Sequence, residues 1–190
     1  MSALALAVIG ASWGGMAAVG ALLEPLGETI SIPLAVALHR SPTTRDDALV
    51  RSLARRCKLP VVEADDKTAL EPGHVYVAPA DYHLLVDDGH LSLSVEPPVR
   101  FSRPSIDVLF ESAAEVYGEG VVAVVLTGAN DDGARGVVKV KEHGGTVFVQ
   151  DPATAERREM PDAAIATNAV DRVLPVPAIA AALNVLGGAA

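Results

Sequence analysis

Ser12, His39 and Asp132 carry side chains that could together perform nucleophilic catalysis. A serine hydroxyl becomes a nucleophile when a neighbouring base takes its proton, and a neutral imidazole can do so near pH 7. A carboxylate in contact with the imidazole orients the ring and stabilises its protonated form. Taken singly, the histidine could be a satisfied structural residue and the aspartate a helix cap. A prediction of catalysis therefore depends on whether the fold brings the three side chains together.

The turn around Ser12 has more than one interpretation. Gly10, Ser12 and Gly14 match the G-x-S-x-G pattern of a nucleophile elbow, in which small flanking residues allow a sharp bend between strand and helix. The same segment could be a phosphate-binding turn or a plain strand-to-helix connection. As a dinucleotide-binding pattern it is defective, because Ser12 takes the position of the second glycine. It is not a P-loop either, because no Gly-Lys-Ser/Thr follows.

Apolar runs precede all three candidate residues and predict buried parallel strands at Leu4–Ile9, Ile32–Leu38 and Val121–Leu126. Helical spacing of apolar residues between the runs predicts an α/β fold, a doubly wound and mostly parallel sheet with helices on both faces. The other predicted strands are 61–63, 146–150 and 172–176. The predicted helices are 14–26, 43 or 44 to 56, one that Ser105 caps and that runs to 117, 132 or 133 to 143, 160–167 and 177–186. Because ligands bind at the carboxyl ends of the strands in such sheets, the three polar loops should share one edge.

A small β meander is predicted from His74–Ala78, Tyr82–Val86 and His90–Ser94. The turn Asp87-Asp88-Gly89 is a hairpin signal, with glycine available for a positive φ. His83, together with Asp81, could line the site, and the alternative is a packed or surface position.

The composition excludes several classes of protein. The formal net charge of −9 argues against a protein that binds nucleic acid through its phosphates. The basic stretch Arg51–Lys58 is predicted to be the solvated face of a helix, with a docking patch as the alternative. No apolar run approaches the roughly 18 residues of a membrane span, so the chain should not be inserted in a membrane. The single Cys57 permits no intrachain disulfide and fits a cytoplasmic location. One cysteine and scattered histidines predict neither a metal site nor a cofactor.

Several motifs occur in an order that makes the chain resemble the catalytic domain of the CheB-type chemotaxis protein-glutamate methylesterases. They are the serine turn, the histidine after the second strand, Pro72–Pro79, Arg103–Phe110 and Leu126–Ala134. The resemblance runs from about Ala5 to Leu186, which is nearly the whole chain.

The resemblance implies a seven-stranded doubly wound sheet and the hydrolysis of glutamyl methyl esters on chemoreceptors, with release of methanol. Some members of the family also deamidate receptor glutamines. By their motifs, Ser12 matches the nucleophile, His39 the base and Asp132 the orienting acid. The backbone N–H of Ala129 matches the oxyanion donor, next to Gly128, and Met160 is expected in a loop beside the site. The order Ser, His, Asp differs from the Ser, Asp, His order of α/β-hydrolases.

The chain also departs from the family. Trp13 stands where a small hydroxyl residue is usual, so its indole is expected to narrow the pocket, stack on substrate or close over the serine. Leu38 replaces a commonly polar residue, and the loop 40–45 is polar where an apolar tip is usual. Residues 1–190 are predicted to form a single catalytic domain with no receiver domain. A receiver acting in trans, an unregulated enzyme and a fragment are the alternatives that follow.

Two other functions compete with the methylesterase interpretation. One is a non-catalytic signalling module that keeps the fold and binds a receptor or a receiver. The other is an esterase or amidase for a different substrate, which the departures at Trp13 and in the loop 40–45 favour.

Overall fold

The computed structural model describes residues 5–28, 30–41 and 48–188. A seven-stranded sheet, parallel throughout, carries helices on both faces, and a separate three-stranded antiparallel sheet lies beside it. This confirms the predicted fold class. The predicted helix start at Thr43 or Thr44 lies outside the described residues.

The ten strands follow the chain in an order different from their order in space. They are β1 (Leu6–Ala11), β2 (Leu34–Leu38), β3 (Val61–Glu63), β4 (Thr68–Ala69), β5 (Val75–Val77), β6 (His83–Asp87), β7 (His90–Ser94), β8 (Val121–Val125), β9 (Thr146–Gln150) and β10 (Arg172–Leu174). The parallel sheet has the order β10-β9-β8-β1-β2-β5-β3, and the antiparallel sheet has the order β4-β7-β6.

The helices are α1 (Gly15–Leu23), α2 (Ala48–Ala54), α3 (Ile106–Tyr117), α4 (Ala134–Glu142), α5 (Glu159–Ala166) and α6 (Val176–Gly187). Within the described ranges, none of these helices combines the length and the apolar character that crossing a membrane requires.

The prediction that the segment His74–Ala78 belongs to the meander is wrong. Its central residues form β5, which pairs in parallel with β2 and β3 inside the main sheet. All three residues of β5 are buried, as expected for a strand covered on both faces. The third strand of the small sheet is β4, which pairs with β7. With only two residues, β4 shows no alternation of apolar and polar residues that could have predicted it.

The core lies on both sides of the parallel sheet because successive strand residues point to opposite faces. In β1, Ala7 and Ile9 belong to the apolar cluster formed with α1, α2 and α6. Leu6 and Val8 belong to the cluster formed with α3, α4, α5 and the small sheet. Burial on both faces explains why the central strands occur in the sequence as continuous apolar runs.

The strand order places the candidate residues at one edge. β1 pairs with β2 on one side and with β8 on the other. The chain therefore winds away from β1 in opposite directions, which makes the gap between β1 and β8 a topological switch point. Ser12, His39 and Asp132 lie in the loops that follow these three strands.

Close packing between β1 and α3 sets the start of α3 above this edge. A Cβ atom added to Gly10 would lie 2.3 Å from Cγ2 of Ile106, closer than side chains approach one another. Ile106 is fully buried. The glycine is therefore required for the first turn of α3 to approach the end of β1.

We predict that Gly10→Ala lowers the free energy of unfolding by roughly 1–3 kcal/mol through overpacking. In an Ile106→Ala background the Cγ atoms are absent, so the same substitution should cost less. Urea titrations of the four proteins of this double-mutant cycle measure the difference. Equal costs in the two backgrounds would show that the contact does not set the spacing.

Candidate active site

Ser12 lies in the turn between β1 and α1, and its side chain is partly exposed. Its backbone N–H donates to the carbonyl of Thr127 at 2.9 Å, which joins this turn to the loop after β8. Gly14 begins α1 with φ 74°, a conformation that favours glycine. A Cβ atom at Gly14 would also lie 2.6 Å from Oε2 of Glu156. The glycine therefore lets the turn pack against the loop that carries Glu156.

His39 lies between Ser12 and Asp132 and contacts both. Its Nδ1 atom is 3.1 Å from Oγ of Ser12, and its Nε2 atom is 2.7 Å from Oδ2 of Asp132. A carboxylate only accepts hydrogen bonds, so the proton of a neutral imidazole belongs on Nε2. This assignment leaves Nδ1 as an acceptor for the hydroxyl of Ser12. The structure thus brings the three predicted side chains into one hydrogen-bonded chain.

Asp132 is fully buried and accepts three further hydrogen bonds. They come from the hydroxyl of Ser105 at 2.9 Å and from the backbone N–H groups of Ile106 at 2.8 Å and Asp107 at 3.0 Å. Burial alone would raise the pKa of Asp132, but the hydrogen bonds from His39 and from the two N–H groups outweigh it and hold that pKa below its usual value. The carboxylate therefore stays ionised beside the imidazole.

Asp107 makes the reciprocal contact from α3 to the start of α4. Its Oδ1 atom accepts from the backbone N–H groups of Gly133 at 2.9 Å and Gly136 at 2.8 Å. Burial raises the pKa of Asp107. Its Oδ2 atom has no hydrogen-bond partner and lies 3.7 Å from Nε of Arg100. The start of α3 thus donates hydrogen bonds to Asp132, which lies just before α4, and the start of α4 donates hydrogen bonds to Asp107 of α3.

His83 is packed, and of its two predicted alternatives the structure shows this one. It is buried, its Nε2 atom donates to the carbonyl of Pro97 at 3.1 Å, and its Nδ1 atom accepts from the N–H of Ser105 at 3.2 Å. Because the hydroxyl of Ser105 in turn donates to Asp132, His83 helps to hold Ser105 in position against that carboxylate. Asp81 binds Arg103, and both line a small cavity beside His39.

The loop after β8 brings backbone directly against the serine. A Cβ atom at Gly128 would lie 3.0 Å from Cβ of Ser12 and 2.5 Å from Cε of Met160. The N–H of Gly128 donates to the carbonyl of Arg157, and its carbonyl accepts from the N–H of Met160. Met160 is buried behind this loop and does not line the open cleft.

Two backbone donors near Ser12 are free for a ligand. Among the residues that the structure describes, neither the N–H of Trp13 nor that of Ala129 has a hydrogen-bond acceptor. Both belong to peptides beside the serine, where an oxyanion would form during attack on a carbonyl.

The indole of Trp13 points outward and does not close over Ser12. It is 59% exposed, its Nε1 atom donates to Oε1 of Glu156 at 2.9 Å, and the guanidinium of Arg157 lies 5.4 Å from the ring centroid. Of the three alternatives given for this side chain, closure over the serine is not the one observed, because the loop 156–157 supplies a partner for each part of the ring. Trp13 instead forms part of the outer rim.

A cleft of about 550 Å³ opens beside Ser12 and His39. It is lined by Ser12, Gly14, Gly15, Met16, Ala17, Leu38, His39, Leu49, Ser52, Leu53, Arg56 and Glu156. A smaller cavity of about 90 Å³ lies on the other side of His39, against the segment 98–103. In residues 5–28, 30–41 and 48–188, no group of three or more His, Cys, Asp or Glu side chains could hold a metal ion. The hydrogen-bonded Ser12, His39 and Asp132 at the edge of this cleft can act on a carbonyl by nucleophilic attack.

Several residues of the site carried no sequence signal for their role. Ser105 was predicted only as a helix cap and Asp107 only as part of a motif, although both hold the loop of Asp132. Glu156 and Arg157 lie far along the chain and contact Trp13 through the fold alone. For Ser105 and Asp107, the motif Arg103–Phe110 that contains them was the one signal in the sequence.

The sequence model of a known family, described as CheB methylesterase, matches residues 7–183. The chain belongs to the CheB methylesterase family. A protein of Leptospira interrogans is 46% identical over 174 residues, which are 91% of this chain and 90% of that protein. The crystal structure of the Thermotoga maritima CheB methylesterase catalytic domain has a TM-score of 0.91 and 34% identity, and the match covers 98% of this chain and 100% of that one.

Longer relatives also match this methylesterase domain. A protein-glutamate methylesterase/protein-glutamine glutaminase of Nocardioides is 41% identical over 90% of this chain. A protein-glutamate methylesterase of Myxococcus xanthus is 38% identical over 94% of this chain. The chain spans about half the length of these two relatives, 47% and 53%.

We predict that Asp132→Asn lowers the free energy of unfolding by about 1.5–3 kcal/mol at pH 7, because hydrogen bonds to a charged acceptor are weakened. The folded pKa of Asp132 lies below its unfolded value of about 3.9, so ionised Asp132 stabilises the fold above pH 4. That stabilisation is lost as the pH falls through the folded pKa. Urea titrations at pH 7 and pH 3 should show a smaller difference between wild type and variant at pH 3. A difference that grows at pH 3 would contradict the assigned direction.

We predict that Asp107→Ala destabilises the protein more than Asp107→Asn. Alanine leaves the buried N–H groups of Gly133 and Gly136 without an acceptor, at about 1–3 kcal/mol for each. Asparagine keeps the Oδ1 atom that accepts from both. Urea titrations at pH 7 compare the two variants, and equal losses would show that these hydrogen bonds do not determine the effect.

Proposed function

We propose that this domain hydrolyses the methyl esters of glutamate side chains in chemoreceptor proteins and releases methanol. The observation that supports the proposal best is the chain of hydrogen bonds from Ser12 through His39 to Asp132 at the mouth of an open cleft. Membership of the CheB methylesterase family supplies the reaction class, and the names of the Nocardioides and Myxococcus relatives supply the substrate.

In the proposed mechanism, Oγ of Ser12 attacks the ester carbonyl while its proton moves to Nδ1 of His39. The protonated imidazole is stabilised by the carboxylate of Asp132, which holds the opposite side of the ring. When the tetrahedral intermediate collapses, the imidazolium gives its proton to the departing methoxide, and methanol leaves. The glutamyl group is then an ester of Ser12.

Water completes the cycle by the same route. It attacks the glutamyl ester and gives a proton to His39, and collapse of the second intermediate returns that proton to Ser12. The glutamic acid side chain that is freed loses its own proton to solvent and becomes the carboxylate. We assign the oxyanion of both intermediates to the free N–H groups of Trp13 and Ala129. Removal of one such preorganised donor typically lowers the rate by about 10²–10³-fold.

Glutamine deamidation is a second candidate activity, since the Nocardioides relative is named as a protein-glutamine glutaminase as well. The chemistry needs no additional residue. Attack of Ser12 on a side-chain amide gives the same glutamyl ester, with His39 protonating the departing nitrogen so that ammonia leaves in place of methanol.

The proposed substrate also has consequences for the cellular location of the enzyme and for its regulation. We propose that the enzyme acts on the chemoreceptor in the cytoplasm, the location predicted from the sequence. A receiver domain that acts in trans stays a prediction, because no described contact tests it.

We predict that Ser12→Ala lowers kcat for methanol release from methylated receptor by roughly 10⁴–10⁶, the loss expected for removal of a nucleophile. Labelling by a fluorophosphonate should be lost in the same variant. Ser92→Ala in β7, which removes a hydroxyl from the small sheet, is the matched control and should change neither readout.

The competing functions give different results in the same assays. Wild type that takes no label and releases no methanol would support a non-catalytic module. Wild type that hydrolyses small esters but not methylated receptor would support an esterase for another substrate.

A further inference from the structure

The segment Val99–Ser102 forms a tight two-residue hairpin beside the candidate active site. The N–H of Val99 donates to the carbonyl of Ser102 at 3.1 Å, and the N–H of Ser102 donates to the carbonyl of Val99 at 2.8 Å. The two central residues, Arg100 and Phe101, have φ values of 48° and 63°. Positive φ at both central positions defines a turn that strongly prefers asparagine, aspartate and glycine.

Phe101 is a poor choice for folding at this position. Phe101 is 104% exposed, so folding removes almost none of the ring from water. The left-handed conformation is unfavourable for a bulky residue. Asparagine or glycine would suit the backbone better and would not expose an aromatic ring to water. Folding therefore does not account for the ring.

The turn is nevertheless held firmly in place. The guanidinium of Arg100 pairs with the carboxylate of Asp131, and its Nε atom lies 3.7 Å from the buried Oδ2 of Asp107. These are the residues that flank and support the loop of Asp132. These two ion pairs tie the turn to the first turn of α3 and to the loop before α4, and the ring of Phe101 stays exposed.

The turn also lies in contact with His39. Oγ of Ser102 lies 3.3 Å from Nδ1 of His39. Phe101, Ser102, His39 and Pro98 line the same small cavity of about 90 Å³. Phe101 is therefore an exposed aromatic side chain next in sequence to a residue that contacts His39.

We propose that Phe101 is an anchor for the protein substrate, which it contacts through an apolar side chain that neighbours the esterified glutamate. The inference rests on the proposed function and adds to it a residue that distinguishes a polypeptide from an isolated ester. Aromatic side chains are enriched at protein interfaces and among the few residues that carry most of the binding energy. Helical substrates would offer such a neighbour three or four positions from the glutamate.

The test compares two substrates that share the reacting group. One is a methylated receptor protein, and the other is the γ-methyl ester of N-acetylglutamate N-methylamide, which has no flanking polypeptide. Phe101→Asn removes the ring while asparagine tolerates the left-handed backbone, so the urea midpoint should not fall. We expect the ratio of kcat/KM for the protein to kcat/KM for the small ester to fall about tenfold, mainly through KM for the protein.

Two further variants complete the test. Phe101→Trp keeps an aromatic anchor and should hold the ratio within about threefold of wild type, since aromatic rings serve alike as anchors. Val185→Ser removes an equally isolated apolar side chain, 82% exposed on α6, and should leave the ratio unchanged. A ratio unchanged in Phe101→Asn overturns the docking role alone. Wild type that releases methanol from neither substrate overturns the proposed function, and this inference with it.

Discussion

The site depends on one buried carboxylate, that of Asp132. A charge removed from water is tolerated only where hydrogen bonds replace its hydration. Here the replacements are the imidazole of His39, the hydroxyl of Ser105 and two N–H groups from the first turn of α3. The same contacts that keep the carboxylate ionised also fix the imidazole and the start of α3. The ionisation of Asp132, the orientation of the His39 ring and the position of the start of α3 therefore depend on the same hydrogen bonds.

A second buried carboxylate, that of Asp107, links the starts of α3 and α4 and extends this constraint to the surrounding fold. Asp132 receives N–H groups of α3, while Asp107 of α3 receives N–H groups of α4. Negative charge is favourable at a helix start, where N–H groups lack partners within the helix. Because the two contacts run in opposite directions, neither helix can shift without breaking both. The contact of Ile106 with Gly10 then ties the pair to β1.

Much of the architecture was predictable because its signals are local. The apolar runs before Ser12, His39 and Asp132 predicted three buried strands, and glycine and polar residues after each run predicted loops at their carboxyl ends. Ser105 was recognised as the cap of α3, and Thr146–Gln150 and His90–Ser94 were predicted with the bounds observed. The pairing of β5 was not predictable, since three apolar residues fit a meander and a parallel sheet equally well.

The sequence by itself determined the fold class, the three buried strands that precede the candidate residues and the three residues that could form a catalytic chain, because strand periodicity, turn residues and motif order are properties of neighbouring positions. Only the tertiary structure decided where the indole of Trp13 points, which of two roles His83 has, and that Asp107 and Asp132 support each other's helices. Each of these depends on a partner remote in sequence, such as Glu156 for Trp13, which is 143 positions away. Spacing along the chain holds no information about such a partner until the sheet has brought the loops together.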